Sequence, residues 1–133
     1  MESNKKENLP QINLSMVVLD SNDIKALADF YIRLLGWEKE HEEEGVWISI
    51  VSPLKGTKLG FQSNEDYVPP VWPEEKDKQQ QMMHLDFEVG SKDNLEVAVQ
   101  HALACGARKA PNQYSDQWVV MLDPAGHPFC LAG

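Results

Sequence analysis

Three side chains that can exchange protons or bind a cation lie in a row near the middle of the chain. Residues 84–89 alternate in character, with His84, Asp86 and Glu88 on one side and Leu85, Phe87 and Val89 on the other. A period of two predicts a β-strand whose apolar face packs on a core. The polar face either meets solvent or lines a cavity. If it lines a cavity, its carboxylates need a partner, and the cavity suits a cationic or polyhydroxylated ligand.

Each of these residues also has a structural interpretation. A single histidine on a mixed strand is often a hydrogen-bonded structural residue. Asp20, on a similar earlier strand, either joins this cavity or lies with Glu88 at strand ends in solvent. Cys130 could act as a nucleophile only with a neighbouring base and a lowered pKa.

The Gly126-His127-Pro128 segment is a predicted turn. We expect Asp123 to cap this turn through its side chain and His127 to lie on the turn surface.

Composition narrows the classes of partner. The 133 residues fit one domain, and the net charge of −9 disfavours nucleic acid and anionic membrane while permitting a cationic ligand.

The two cysteines, Cys105 and Cys130, lie in unlike contexts, so we expect reduced thiols and a cytoplasmic location. Residues 1–11 are predicted to form a polar arm, without the apolar core of a signal peptide.

The rest of the chain contains an internal repeat with a period of about 70 residues. Each copy predicts a strand, an amphipathic helix that ends at a glycine (Gly36 or Gly106), and further strands. Both copies contain tryptophan, then proline and glycine, in matching order: Trp47, Pro53 and Gly56, then Trp118, Pro124 and Gly126. We therefore predict an α+β fold of two βαβββ modules, module 1 over about 12–62 and module 2 over about 82–133, with strands at 12–20 and 84–89 opening the modules.

A linker over residues 63–81 separates the two modules. It contains three prolines and two aromatic residues, Tyr67 and Trp72, that are costly to leave in water. Either it is a lid over a site, or it is a connector whose aromatic residues pack on the outer helices.

Trp47 and Trp118, related by the repeat, are either core anchors or aromatic walls of a cleft. In the second case Met16, Met121 and Cys130 are predicted to form an apolar floor.

Several segments together resemble the vicinal oxygen chelate superfamily of glyoxalase I, bleomycin-resistance proteins and extradiol dioxygenases. They are Phe30-Tyr31-x-x-Leu34-Leu35-Gly36-Trp37, Met83-His84-Leu85-Asp86, the helix end Gly106-Ala107, and the hairpin Leu122-Asp123-Pro124-Ala125-Gly126-His127-Pro128-Phe129-Cys130-Leu131. The resemblance covers about residues 12–131 and is closest to the small glyoxalase-like domains. It implies eight strands in two curved four-stranded sheets that enclose a cleft.

The resemblance also implies where metal-dependent members place four ligands. In this chain those positions fall at Met16, at Gly60 with Gln62 next on that face, at His84, and at Cys130. Only His84 is retained outright. His84 and Cys130 supply two donors unless Gln62 or Asp86 joins them, so we predict a site without metal and no cofactor.

Three functions remain open. The first is a module that binds and sequesters a small organic ligand, as the drug-resistance branch does, with ligand-binding residues His84, Asp86, Trp47, Trp118, Met16, Gln62, Cys130 and Trp72. The second is a lyase, isomerase or dioxygenase that uses a divalent metal at His84, with Asp86 or Glu88 moving a proton. The third is an interaction module with a vestigial cleft. We also predict a homodimer, because an open four-stranded module leaves an apolar face to cover.

Overall fold

The structure, a computed structural model, describes residues 9–133. Its strands are β1 (Met16–Ser21), β2 (Glu38–Glu43), β3 (Trp47–Val51), β4 (Lys58–Ser63), β5 (Leu85–Glu88), β6 (Arg108–Lys109), β7 (Trp118–Leu122) and β8 (Pro128–Ala132). Its helices are α1 (Ile24–Leu35) and α2 (Leu95–Cys105), the latter preceded by a 3₁₀ turn (Lys92–Asn94).

The strands form two four-stranded sheets with the same topology. Sheet 1 has the order β1-β4-β3-β2 and sheet 2 the order β5-β8-β7-β6. In each sheet the first and last strands of a module run parallel, and the other pairs are antiparallel. The predicted βαβββ repeat and the α+β class are therefore confirmed.

Local signals set the ends of the helices. The Asp23 side chain accepts a hydrogen bond from the backbone N of Ala26 at 3.1 Å, which caps α1, and Gly36 ends the helix with φ of 70°. In module 2, Ser91 provides the capping side chain by accepting from the backbone N of Asn94, so the helical segment begins slightly earlier than the predicted opener Asn94.

One core joins the two modules. Both helices and one face of each sheet contribute to it, and the apolar side of β5 packs against it as predicted. Tyr31 of α1 lies at the centre, stacked on Phe61 of sheet 1 and in contact with Phe87 and Phe129 of sheet 2. We call the opposite face of each sheet its cleft face.

The structure contradicts the predicted position of Met121. Met121 is fully buried in the shared core, whereas Val120 and Trp118 lie on the cleft face of sheet 2. Side chains alternate along β7, so Met121 cannot share a face with Trp118, three residues before it.

The outer elements are exposed. All six residues of β2 are exposed at the edge of sheet 1, and its charged side chains form ion pairs such as Lys39–Glu42 at 2.6 Å. β1 begins at Met16 rather than at the predicted Ile12, which is 83% exposed. Most of the predicted polar arm, residues 1–8, lies outside the described residues. Within residues 9–133, no helix combines the length and apolarity needed to cross a bilayer.

Candidate ligand-binding site

A cavity of about 520 Å³ opens on the cleft face of sheet 2. This volume lies in the range of pockets that hold small organic molecules. The residues that line it come from sheet 2, from the linker and from the loop before β7: Trp72, His84, Asp86, Tyr114, Trp118, Val120, Pro128, Cys130 and Ala132.

Three polar side chains meet at the floor of the cavity. Asp86 of β5 lies directly opposite Cys130 of β8 in the parallel register. His84 Nε2 lies 3.1 Å from Asp86 Oδ1, within hydrogen-bonding distance. Partial burial and the neighbouring Asp86 carboxylate raise the pKa of the Cys130 thiol to about 11, which disfavours a thiolate nucleophile at neutral pH.

Aromatic rings form the walls. Trp118 is 41% exposed at the start of β7, and Trp72 of the linker packs edge-on against Tyr114 with ring centroids 6.4 Å apart. The Trp72 Nε1–H is buried and has no acceptor among the described residues. An unsatisfied buried donor costs about 1–3 kcal/mol. The Trp72 ring is therefore held in place by packing and not by a hydrogen bond from its N–H.

The linker contacts both the β7–β8 hairpin and the cavity. Tyr67 donates its hydroxyl hydrogen bond to the backbone O of Ala125 at 2.8 Å, which anchors the linker on the β7–β8 hairpin. Further along, the backbone N of Val71 donates to the backbone O of Gln79 at 2.9 Å. The chain between these residues carries Trp72 to the cavity. Tyr67 packs on the hairpin, whereas the connector interpretation placed it on the outer helices.

Sequence reasoning missed Tyr114, which lies in the loop between β6 and β7. Gln113 braces this loop: its Nε2 donates to the backbone O of Ala110 and of Val120, and its Oε1 accepts from the backbone N of Val120, all at 2.9 Å. Strand β6 has only two residues, so its pairing with β7 is short. The Gln113 side chain supplies hydrogen bonds to β7 beyond the end of β6. The sequence signal that could have indicated Tyr114 is its position as an aromatic residue in a polar loop, just before the strand that begins at Trp118.

Three of the predicted ligand-binding residues lie elsewhere. Trp47, Met16 and Gln62 belong to sheet 1 and do not line the cavity of sheet 2. The Trp47 ring and the Met16 thioether lie over Gly60, where an added Cβ would come within 2.8 Å of Trp47 Cζ2 and 2.7 Å of Met16 Sδ. The cleft face of sheet 1 is therefore filled by its own side chains at Gly60.

Strand registers define which residues of the two cleft faces correspond. Gly60 has Val18 and Ser49 as neighbours, and Cys130 has Asp86 and Val120. Asp86 and Cys130 of the cavity thus correspond to Val18 and Gly60 of sheet 1. At these two positions, polar side chains occur in module 2 and not in module 1.

Other acidic and histidine residues have structural contacts. Asp20 accepts hydrogen bonds from Gln62 and Asn64, and its backbone O lies 2.8 Å from Nε2 of His127. His127 is therefore a bridge between modules, where a surface position was expected. Glu88 is exposed and does not line the cavity.

The predicted turn cap at Asp123 is confirmed. Asp123 Oδ1 accepts from the backbone N of Ala125 at 2.9 Å and of His127 at 3.0 Å.

The floor residues fit a divalent metal in part. One donor atom each from His84, Asp86 and Cys130 lies within 4.8 Å of the others, and nitrogen, oxygen and sulfur are all zinc ligands. Three protein ligands with an open fourth position is the pattern of catalytic zinc sites. The other two positions implied by the resemblance, Met16 and Gly60, belong to sheet 1. The donors present therefore fit a site of three ligands rather than four.

Two mixed sheets built from paired βαβββ modules, with a cleft beside the first and last strands of a module, define the vicinal oxygen chelate superfamily. A family model of the glyoxalase-like domain matches residues 16–132, and the chain belongs to this family. A search of curated proteins gave no match.

Solved structures support the same fold. A glyoxalase/bleomycin resistance protein/dioxygenase family enzyme from Burkholderia phytofirmans is 23% identical, with a TM-score of 0.67 over 90% of this chain and 97% of that one. A lactoylglutathione lyase from Agrobacterium tumefaciens is 15% identical, with a TM-score of 0.63 over 93% and 95%. A fosfomycin resistance protein from Listeria monocytogenes, complexed with Mn(II) and dihydroxypropylphosphonic acid, is 12% identical, with a TM-score of 0.65 over 93% and 90%. At these identities the likeness concerns the fold alone.

Proposed function

We propose that this protein binds a small organic ligand in the cavity of sheet 2 without a metal, and that it sequesters the ligand rather than transforming it. The observation that supports this function is the lining itself. Three aromatic rings and several apolar side chains surround a small polar floor, which is the usual composition of ligand pockets.

The chemistry of the floor agrees with binding rather than covalent catalysis. The pKa of the Cys130 thiol is raised to about 11, so this side chain is protonated at neutral pH and a weak nucleophile. His84 and Asp86 are paired with each other and offer hydrogen bonds to a ligand.

A thermal-shift screen of bicyclic and tricyclic ring compounds tests this function. A ligand at 100 times its Kd stabilises the folded state by about 2.7 kcal/mol, so the melting temperature should rise by several degrees. Trp118→Ala should abolish the rise, whereas Leu54→Ala, at a residue 92% exposed and outside the cavity, should not. If no compound shifts the wild-type protein, the proposed function is wrong.

A second candidate is a metal-dependent lyase, isomerase or dioxygenase, favoured by the convergence of His84, Asp86 and Cys130. These residues would hold a divalent ion, which when bound supplies a Lewis acid for a carbonyl or a vicinal oxygen pair. The aromatic walls would orient the substrate and exclude water.

Elemental analysis of protein purified without chelators separates the two candidates. A stoichiometric metal that is lost in both His84→Ala and Cys130→Ala would establish the second candidate, because such sites depend on several donors. Val119→Ala, on the core face of the adjacent strand, is the control that should keep the metal. Less than about a tenth of an equivalent, with no gain on reconstitution, would exclude it.

A further inference from the structure

The cavity has an unbalanced distribution of charge. Of the described residues that line it, Asp86 is the one carboxylate, and none is lysine or arginine. The Asp86 side chain is 70% exposed, so its carboxylate is accessible to a ligand. His84 contacts one carboxylate oxygen, Oδ1, at 3.1 Å.

The aromatic walls add to this preference. The faces of tryptophan and tyrosine rings carry negative electrostatic potential and attract cations within about 6 Å. Trp118, Tyr114 and Trp72 surround the same space that Asp86 faces. An anionic ligand would meet a carboxylate and three aromatic rings, without a lysine or arginine in the lining to balance its charge.

A comparison of the two modules shows how Asp86 differs from its counterpart in sheet 1. Val18 holds the position in sheet 1 that corresponds to Asp86, and Gly60 holds the one that corresponds to Cys130. A tryptophan is present at the corresponding position of both sheets, Trp47 and Trp118. Asp86 therefore places a carboxylate in the cavity where sheet 1 has an apolar side chain.

We propose that the cavity selects a flat organic cation, with a positively charged nitrogen in or beside an aromatic ring, and that Asp86 is the residue that determines this selectivity. The inference rests on the proposed ligand-binding function and names its ligand class. The ring of the ligand stacks on Trp118 and Trp72, and its charge lies over the Asp86 carboxylate. Covering this carboxylate with an uncharged ligand would remove its water without supplying a further partner beside His84.

A pair of matched compounds tests the selectivity: N-methylquinolinium, a permanent cation, and N-methyl-2-quinolone, which is uncharged. Binding of each to the full chain is measured by NMR chemical-shift titration at low and at high salt. The cation should bind about tenfold more tightly at low salt, and the ratio should fall at high salt because exposed charges are screened.

Two variants locate the effect. Asp86→Asn should bring the ratio of the two affinities at low salt down from about tenfold to near one. Glu88→Gln makes the same change of charge on the same strand outside the cavity and should keep the preference.

The outcomes are distinguishable. Equal affinities for the two compounds in the wild-type chain, or an unchanged preference in Asp86→Asn, would overturn the selectivity and leave the ligand-binding function standing. Failure of both compounds to bind would overturn the selectivity, and with a blank thermal-shift screen it would overturn the ligand-binding function too.

Discussion

The Tyr31 hydroxyl donates a 2.7 Å hydrogen bond to Oδ2 of Asp123, a residue 92 positions away. Tyr31 belongs to helix α1 of module 1, and Asp123 belongs to the β7–β8 turn of module 2. Both side chains are fully buried. This contact ties the hairpin that carries Cys130 to the shared core.

Removing this hydroxyl should destabilise the protein. In Tyr31→Phe, Asp123 Oδ2 loses its donor inside the core, and the free energy of unfolding should fall by about 1–3 kcal/mol. Urea denaturation measures this difference. Tyr114→Phe, at an exposed ring, is the control and should stay within about 0.5 kcal/mol of wild type. Equal stability of the two variants would show that the buried bond contributes nothing net.

Asp123 should make stability depend on pH. Burial raises its pKa, against the opposing effects of His127 and of the hydrogen bond from Tyr31. Asp123 therefore stabilises the folded state most when it is protonated. This contribution to stability is fully present below the unfolded-state pKa of about 3.9, and it is lost as the pH rises through the folded-state pKa. The unfolding free energy of wild type minus that of Asp123→Asn should therefore decrease across this window. Urea titrations at several pH values measure it, and an increase would contradict the assignment.

Cys130 should react slowly with alkylating reagents. With the pKa at about 11, little thiolate is present at neutral pH, and the rate of iodoacetamide modification should rise steeply as pH increases towards that value. Burial is the largest cause of the raised pKa, and the Asp86 carboxylate is the next. Asp86→Asn removes this second cause and should speed the reaction at neutral pH. Peptide mass spectrometry separates Cys130 from the buried Cys105. A slower or unchanged reaction in Asp86→Asn would argue against the effect of the carboxylate.

Gln113 should position the aromatic wall. Gln113→Ala removes two hydrogen bonds to Val120 of β7 and one to Ala110, which together hold the Tyr114 loop in place. We expect a loss of about 1–3 kcal/mol in stability and weaker binding of any ligand that shifts the melting temperature. Gln117→Ala, at an exposed residue of the same loop, should change neither quantity. Unchanged ligand affinity in Gln113→Ala would show that Tyr114 does not need this brace.

Assembly is a separate prediction. We expect a homodimer, because large apolar side chains are exposed on and beside the edge strands β1 and β5: Val18 is 44% exposed and Met83 is 70% exposed. Light scattering at micromolar concentration should give about twice the 15.1 kDa of one chain. Val18→Asp should halve that mass, and Val97→Asp, on the exposed side of α2, should not. A wild-type mass near that of one chain would rule the dimer out.

Much of the fold could be predicted from the sequence because its signals are local. The alternation in residues 84–89 placed Leu85 and Phe87 against the core, and Asp23 and Gly36 marked the ends of α1. The repeat of tryptophan, proline and glycine predicted two equivalent sheets. Such signals depend on residues within a few positions of one another, where backbone geometry sets the pattern.

The composition of the cavity was decided by the tertiary structure. The sequence indicated His84, Asp86, Trp118, Cys130 and Trp72, but it also grouped Trp47, Met16 and Gln62 with them, and only the pairing of strands separates the two sheets. The register of β7 decided that Val120 rather than Met121 faces the cleft. Tyr114 reaches the cavity through contacts between a loop and the linker. Contacts between residues far apart in the chain arise from packing, and a one-dimensional period carries no information about which distant side chains meet.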